Sequence, residues 1–243
     1  MYEYVIDTCS NAEVVAVLCG GSEDSRDRVY ADTPTMRAAA ANHLAKGCTG
    51  LYAHSMRWPL AKPETDFLHE LRSGAPVLLA GDKRYVLPRR HPTAAALGYD
   101  VSLPLEFTTA DPSNARLIPL YLADDPAKPA SISLILNVAS TVAADTILLL
   151  LNGVSLADEP RTHEPRNGAR GIDRTAGSYD GLRTTVQLDS RVARAALCHG
   201  KNELSICLAA RPPGLGGAGG VTIAEIELVV EMTAVAVTAT AKL

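Results

Sequence analysis

Residues 32–60 constrain what this chain can fold into more than any other stretch. Asp32 and Thr33 precede Pro34, an order that begins a helix with Thr33 as the N-cap and Pro34 in the first turn. Gly47 supplies the left-handed residue that ends such a helix, and residues 48–54 follow as a short strand. One face of the helix has the spacing of a buried stripe: Met36, Ala39, Ala40, His43 and Leu44. The stretch therefore predicts one helix-to-strand step of the kind that builds βα barrels.

A further strand is predicted before this helix-to-strand step, and a further helix after it. Residues 13–19 are a continuous apolar run closed by Gly20-Gly21, the pattern of a strand buried on both faces. A further helix is predicted from Pro63 to Gly74, with Phe67, Leu68 and Leu71 on its inner face. Residues 1–74 thus read β-α-β-α with parallel strands and right-handed crossovers. Two strands cannot close a barrel, so this segment either packs on something else or lacks upstream strands.

Residues 75–98 are proline-marked and polar, and they are predicted to be a connector. Its charges, among them Lys83 and Arg84, are expected on a solvated surface, with a domain interface as the alternative.

From residue 99 the pattern changes to short alternating strands separated by turns, such as the one at Asn152-Gly153. Strands are predicted at 101–107, 115–122, 131–138, 146–151, 182–188, 203–208 and 221–232. This favours a β-sandwich, specifically a jelly roll, over residues 99–232. The Arg- and Gly-rich segment 159–178 is either an ordered binding loop or a mobile insertion, and residues 233–243 form a tail that frays or extends the last strand. The predicted fold class is α+β and multidomain.

Composition excludes several kinds of partner and site. The net charge is −4 and Lys and Arg do not cluster, which argues against nucleic acid as a partner. No apolar run is long enough to span a membrane, and residues 1–7 lack the features of a signal peptide. The 5 cysteines have no zinc-ligand spacing, so no metal and no cofactor is predicted. They are expected to be mostly buried free thiols, which favours a reducing compartment and leaves the localisation open.

Candidate functional residues lie just beyond the two predicted barrel strands. Glu23 follows the first strand, and His54, Arg57 and Trp58 lie at the end of the second. Glycoside hydrolysis needs a pair of carboxylates, of which Glu23 could be one, and Trp58 could provide a flat platform for a sugar ring. Each also has a structural interpretation: Glu23 as a solvated loop residue, Trp58 as interface packing and His54 as a hydrogen-bonded strand end. In the sandwich, Tyr179 beside the Arg-rich loop is the best aromatic candidate for a sugar contact.

Two short motifs carry a resemblance to a known family. Leu151-Asn152-Gly153 and the later Gly200-Lys-Asn-Glu-Leu-Ser-Ile206 resemble the galactose-binding-like jelly rolls attached to many glycoside hydrolases. Residues 33–42 and 47–52 are similar to the last helix and strand of a glycoside-hydrolase-like barrel, and residues 83–89 to the segment that leads into a C-terminal sandwich. The resemblance implies a barrel-type glycosidase ancestor and a carbohydrate-related role.

The chain also departs from that family. About six strands of an eight-stranded barrel are lacking, and the partner carboxylate would lie on one of them. His54 occupies a position where such strands often present Asn or Asp. Catalysis by this chain alone is therefore not expected.

Three functions remain open. The first is the C-terminal portion of a glycoside-hydrolase-like protein. The second is a carbohydrate-binding sandwich module, and the third is a ligand-free structural or assembly domain whose apolar half-barrel pairs with another chain. The expected partners are a carbohydrate ligand, a second copy of the chain or an upstream barrel domain.

Overall fold

The structure, a computed structural model, describes residues 14–19, 31–54, 56, 59–87, 103–142, 144–166, 181–212 and 220–233. This part of the chain is mostly β, in antiparallel sheets, with few helices.

The first elements are β1 (Val15–Cys19), α1 (Thr33–Ala45), β2 (Gly50–His54), α2 (Lys62–Ser73) and α3 (Ala75–Ala80). β1 and β2 pair in parallel, as the sequence predicts, from Val15 opposite Gly50 to Cys19 opposite His54. Among the described residues these two strands pair only with each other.

The ends of α1 follow from local chemistry, with one correction. Asp32, not Thr33, is the N-cap, because its Oδ1 accepts a hydrogen bond from the Thr35 backbone N–H at 2.9 Å. Thr33 is instead the first helical residue, and its hydroxyl donates to the Pro63 carbonyl. Gly47, with φ of 93°, closes the helix as predicted.

Helix α1 is buried on more than the one predicted face. Met36 and Ala40 pack with Phe67 and Leu78 in a small core between the helices. Ala38 is also buried, but it belongs to the large core of the β-rich part. A helix with neighbours on two sides shows no single apolar stripe, which is why the helical spacing alone misses Ala38.

The β-rich part has two antiparallel sheets that enclose one core, an arrangement like a β-sandwich. The 6-stranded sheet has the order β3-β12-β6-β10-β9, with β4 also pairing with β12; the other sheet is β5-β11-β7-β8. The strands are β3 (Lys83–Val86), β4 (Leu105–Phe107), β5 (Arg116–Leu122), β6 (Ser131–Ala139), β7 (Thr146–Leu151), β8 (Val154–Ser155), β9 (Arg161–Arg166), β10 (Gly181–Gln187), β11 (Gly200–Ala210) and β12 (Val221–Glu231). A short helix, α4 (Arg191–Ala196), joins β10 to β11.

All seven strands predicted in this region have a counterpart, with ends that differ by a few residues where they are described; residues 101 and 102 of the first lie outside the described residues. The β7–β8 turn at Asn152 and Gly153 has φ of 48° and 81°, the left-handed pair that the Asn-Gly sequence predicts. Cys48 and Cys207 are buried free thiols as expected, whereas Cys198 is exposed.

Two segments differ from what the sequence predicts. The described part of the predicted connector contains α3 and β3, and β3 pairs with β12 inside the larger sheet. Residues 161–166 of the predicted loop 159–178 form the edge strand β9. Both strands are short and polar, so they lack the alternation that marks the others.

The expectation that Lys83 lies on a solvated surface is also wrong. Its side chain is fully buried, not solvated, and its Nζ lies 2.9 Å from Asp124 Oδ1. The same Nζ donates to the carbonyls of Leu79 and Gly81. Three donors with three acceptors explain how an ammonium group is tolerated there.

Candidate functional site

The predicted site at the ends of the barrel-like strands is described only in part. β1 and β2 do end side by side, since Cys19 and His54 are in register. The His54 side chain is exposed, and its ring lies 6.2 Å from the Tyr52 ring between centroids. The other predicted site residues lie outside the described residues: Glu23, Arg57, Trp58 and Tyr179. The structure therefore brings together Tyr52 and His54 at this edge.

A concavity lies where helix α1 meets the sandwich, and we refer to it as the α1 cleft. It has a volume of about 610 Å³, within the range typical of small-molecule sites. Asn42 on α1 and Lys46, the C-cap residue just beyond the end of that helix, line one wall. Arg84 from β3, Tyr121 from β5 and Lys201 from β11 line the other side. Pairing of β5 with β11 sets Tyr121 opposite Lys201.

The two walls of the α1 cleft touch through polar groups. Lys46 Nζ lies 4.5 Å from the centroid of the Tyr121 ring, a cation–π contact. The Asn42 Nδ2 group donates to the Tyr121 carbonyl at 3.4 Å. Asn42 Oδ1 is buried and has no hydrogen-bond partner in the part of the chain that the structure describes. An unmatched buried acceptor is uncommon and costs free energy, so this wall is incompletely satisfied.

The charge of the α1 cleft is positive. Lys46, Arg84 and Lys201 line it, and no carboxylate is among the described residues that do so. Arg84 is partly neutralised from outside, since its Nη1 lies 3.2 Å from Asp32 Oδ2. Burial, with a further contribution from the charge of Lys46, lowers the pKa of His43 on the same wall. The α1 cleft is therefore rich in hydrogen-bond donors suited to hydroxyl oxygens or an anionic group.

The two motifs that carry the family resemblance meet beside this cleft. Asn152 Nδ2 donates to Asn202 Oδ1 at 2.8 Å, and Asn152 Oδ1 accepts from the Glu203 backbone N–H at 2.7 Å. Asn202 Nδ2 in turn donates to the carbonyls of Cys198 and Gly200. The amides are thus occupied with each other and with the backbone, so the motifs form a structural corner rather than a ligand site.

Sequence reasoning missed the α1 cleft because its residues come from four separate segments of the chain. Asn42 and Lys46 border the predicted helical stripe, and Tyr121 lies in a predicted strand. Arg84 gave the only sequence signal for this cleft, because a domain interface is the alternative location for the charged residues of the predicted connector. No pattern within one segment shows that these side chains converge.

The chain matches no protein-family model and no curated protein. None of the helices that the structure describes is long and apolar enough to cross a membrane.

Proposed function

We propose that this chain is a sugar-binding, non-catalytic C-terminal portion of a glycoside-hydrolase-like protein. In this proposal β1-α1-β2-α2 corresponds to the end of a (β/α) barrel, and the two antiparallel sheets correspond to a galactose-binding-like jelly roll.

The α1 cleft carries the sugar-binding part of the proposal. A sugar offers hydroxyl groups on every side and apolar C–H faces, so its sites combine planar hydrogen-bonding side chains with an aromatic ring. The α1 cleft supplies the Asn42 amide, the Arg84 guanidinium and the Tyr121 ring along one concavity. Its volume suits one or a few sugar units.

The parallel pair β1–β2 supports the barrel part. Parallel strands are nearly always covered on both faces by other elements. Here Val15 and Tyr52 remain 54% and 56% exposed on the two strands. Large apolar side chains at these positions are what the end of a larger parallel sheet would present to its next neighbours.

The test is glycan binding by the full chain on an array, followed by calorimetry with the best ligands and with galactose. We expect retention of one sugar class and no hydrolysis of chromogenic glycosides. Tyr121→Leu, which keeps apolar volume but removes the ring and hydroxyl, should weaken binding about tenfold or more. Tyr52→Ala, at the strand-end edge, should leave the affinity within about twofold.

If Tyr52→Ala weakens sugar binding and Tyr121→Leu does not, the sugar binds at the strand ends beside His54 rather than in the α1 cleft. Absence of binding to every glycan would overturn the sugar-binding function.

A second candidate function is assembly without a ligand, and the exposed Val15 and Tyr52 favour it. The apolar surface of β1–β2 would then pair with another chain. Light scattering distinguishes this candidate: a discrete oligomer that Tyr52→Ala converts to monomers supports it, whereas a monomer at all concentrations rules out self-assembly.

A further inference from the structure

The sandwich contains a second, partly open cavity, distinct from the α1 cleft, which we call the inter-sheet cavity. It has a volume of about 270 Å³ and lies between β7 and the β6-β10-β9 side of the larger sheet. Leu136, Val138 and Leu149 from the inner faces of the two sheets provide its apolar walls. Such a space is small for a ligand site, so only a compact ligand would fit.

Polar side chains occupy positions on β9 where the sandwich would be expected to have apolar ones. Register places Arg161 opposite Val186 and His163 opposite Thr184. Directly paired residues share a face of the sheet, and Val186 belongs to the core. Arg161, His163 and Thr184 therefore face the inter-sheet cavity, which they line. Of the three, Thr184 is buried, Arg161 is half-buried and His163 is exposed, so this polar lining reaches from the core to the solvent-exposed surface.

The Arg161 guanidinium is held in place but not neutralised. Its Nη1 and Nη2 donate to the carbonyls of Ile147 and Leu156 at 3.2 and 2.8 Å. Its Nε is buried without an acceptor, and no carboxylate forms an ion pair with it in the described part of the chain. Two of five N–H donors are used, so the cation keeps donors for another partner. Burial also lowers the pKa of Arg161, which reflects the incomplete compensation of its charge.

Among the described residues, Asp145 is the one carboxylate that lines the inter-sheet cavity, and it is already engaged. Asp145 Oδ2 accepts from the Thr141 hydroxyl and from the Val142 backbone N–H at 3.0 and 2.9 Å. Its Oδ1 lies 3.5 Å from Arg211 Nε. Since Asp145 pairs with Arg211, the positive charge of Arg161 is not balanced by any carboxylate among the described residues that line the cavity. His163 adds a second polar side chain: its Nδ1 lies 3.0 Å from Thr184 Oγ1, a hydrogen bond that orients the ring.

We propose that the inter-sheet cavity binds a small organic carboxylate with a short apolar tail. The carboxylate lies against Arg161 and His163, and the tail lies between the sheets against Leu136, Val138 and Leu149. Arginine is the side chain best suited to receive a carboxylate through two parallel hydrogen bonds. The site is separate from the α1 cleft, so it holds or fails independently of the proposed sugar-binding function.

The experiment titrates the full-length chain with hexanoate, with 1-hexanol and with galacturonate, and follows the methyl NMR signals of Leu136 and Leu149. Hexanoate should shift these signals and bind about tenfold or more tightly than hexanol, since only the carboxylate pairs with Arg161. Galacturonate, which carries the charge without an apolar tail, should bind more weakly than hexanoate. Equal binding of hexanoate and hexanol would overturn the role of Arg161, and tighter binding of galacturonate would overturn the apolar tail.

A matched pair of variants isolates the cation. Arg161→Met keeps most of the side-chain length and should lose the preference for hexanoate over hexanol. Arg194→Met is the control, because Arg194 also donates to backbone carbonyls, at Pro129 and Ala130, but does not line the inter-sheet cavity. It should retain the preference within about twofold. A preference that survives Arg161→Met contradicts the proposal, and the comparison of ligands on the unaltered chain decides the matter if that variant does not fold.

Discussion

At the scale of single residues, Lys83 and Asp124 form the most deeply buried ion pair in the described structure. The pair joins β3 of one sheet to the segment that follows β5 of the other. Asp124 also accepts a hydrogen bond from the Tyr85 hydroxyl at 2.6 Å. Burial, reinforced by the Asp124 charge, raises the pKa of Tyr85 far above its usual range, so this hydroxyl stays protonated and donates.

Replacing one partner of this pair should therefore lower the free energy of unfolding strongly. Asp124→Asn leaves the Lys83 ammonium buried without a counter-charge, which costs about 3 to 5 kcal/mol of unfolding free energy. Asp66→Asn is the matched control, since Asp66 pairs with Lys62 on the exposed surface of α2, and it should cost less than about 1 kcal/mol. Urea unfolding of both variants measures the difference. Similar costs for the two would mean that the buried pair contributes no more than a surface pair.

His43 provides a prediction about pH. Because burial and the charge of Lys46 lower its pKa in the folded chain, the unfolded chain takes up a proton first as the pH falls. Stability should then decrease as the pH falls through the ordinary histidine pKa of about 6.5 and continue to decrease until the lower folded pKa is passed. His43→Gln should flatten this part of the curve in urea unfolding between pH 7.5 and 5.5.

The control for that measurement is His69→Gln, on the exposed side of α2. It should leave the slope between those pH values as it is in the unaltered chain. If His43→Gln leaves the slope as steep as His69→Gln does, the decrease does not originate at His43.

At the scale of elements, the amide network of Asn152 and Asn202 fixes how β7, α4 and β11 meet. Asn202 is buried, and its side chain also accepts from the Cys198 backbone N–H at 2.9 Å. Asn202→Ala would leave several of these groups without partners and should cost about 2 to 3 kcal/mol in chemical unfolding. Asn114→Ala, at an exposed turn, should stay within about 0.5 kcal/mol of the unaltered chain. A cost for Asn202→Ala as small as that of Asn114→Ala would show that the corner does not depend on this amide.

Elements were predictable from the sequence where one local pattern decides them. The long strands β6, β11 and β12 alternate or are continuously apolar, and the Asn152-Gly153 turn has residues suited to positive φ. β3 and β9 were missed because their pairing partners, not their own residues, hold them in the sheet. For the same reason the α1 cleft and the inter-sheet cavity could not be predicted, since each depends on which distant strands become neighbours.

At the scale of the whole molecule, helix α1 couples the small helical core to the core of the sandwich. Its Met36 and Ala40 belong to the first core and its Ala38 to the second, together with Tyr85 and Leu120. One rigid helix that contributes to both cores should make the two parts unfold together, because neither core can lose its packing without exposing the helix.

Ala38→Gln tests this coupling. A longer polar side chain at a site with 2% exposure must displace neighbours or bury an unpaired amide, either of which separates α1 from the sandwich. We expect two unfolding transitions in calorimetry where the unaltered chain shows one, with the helical part melting first. Ala45→Gln, on the exposed last turn of the same helix, makes the identical change without reaching either core, and it should keep a single transition. Two transitions already present in the unaltered chain would mean that the cores unfold independently, and that the α1 cleft between them opens without unfolding the sandwich.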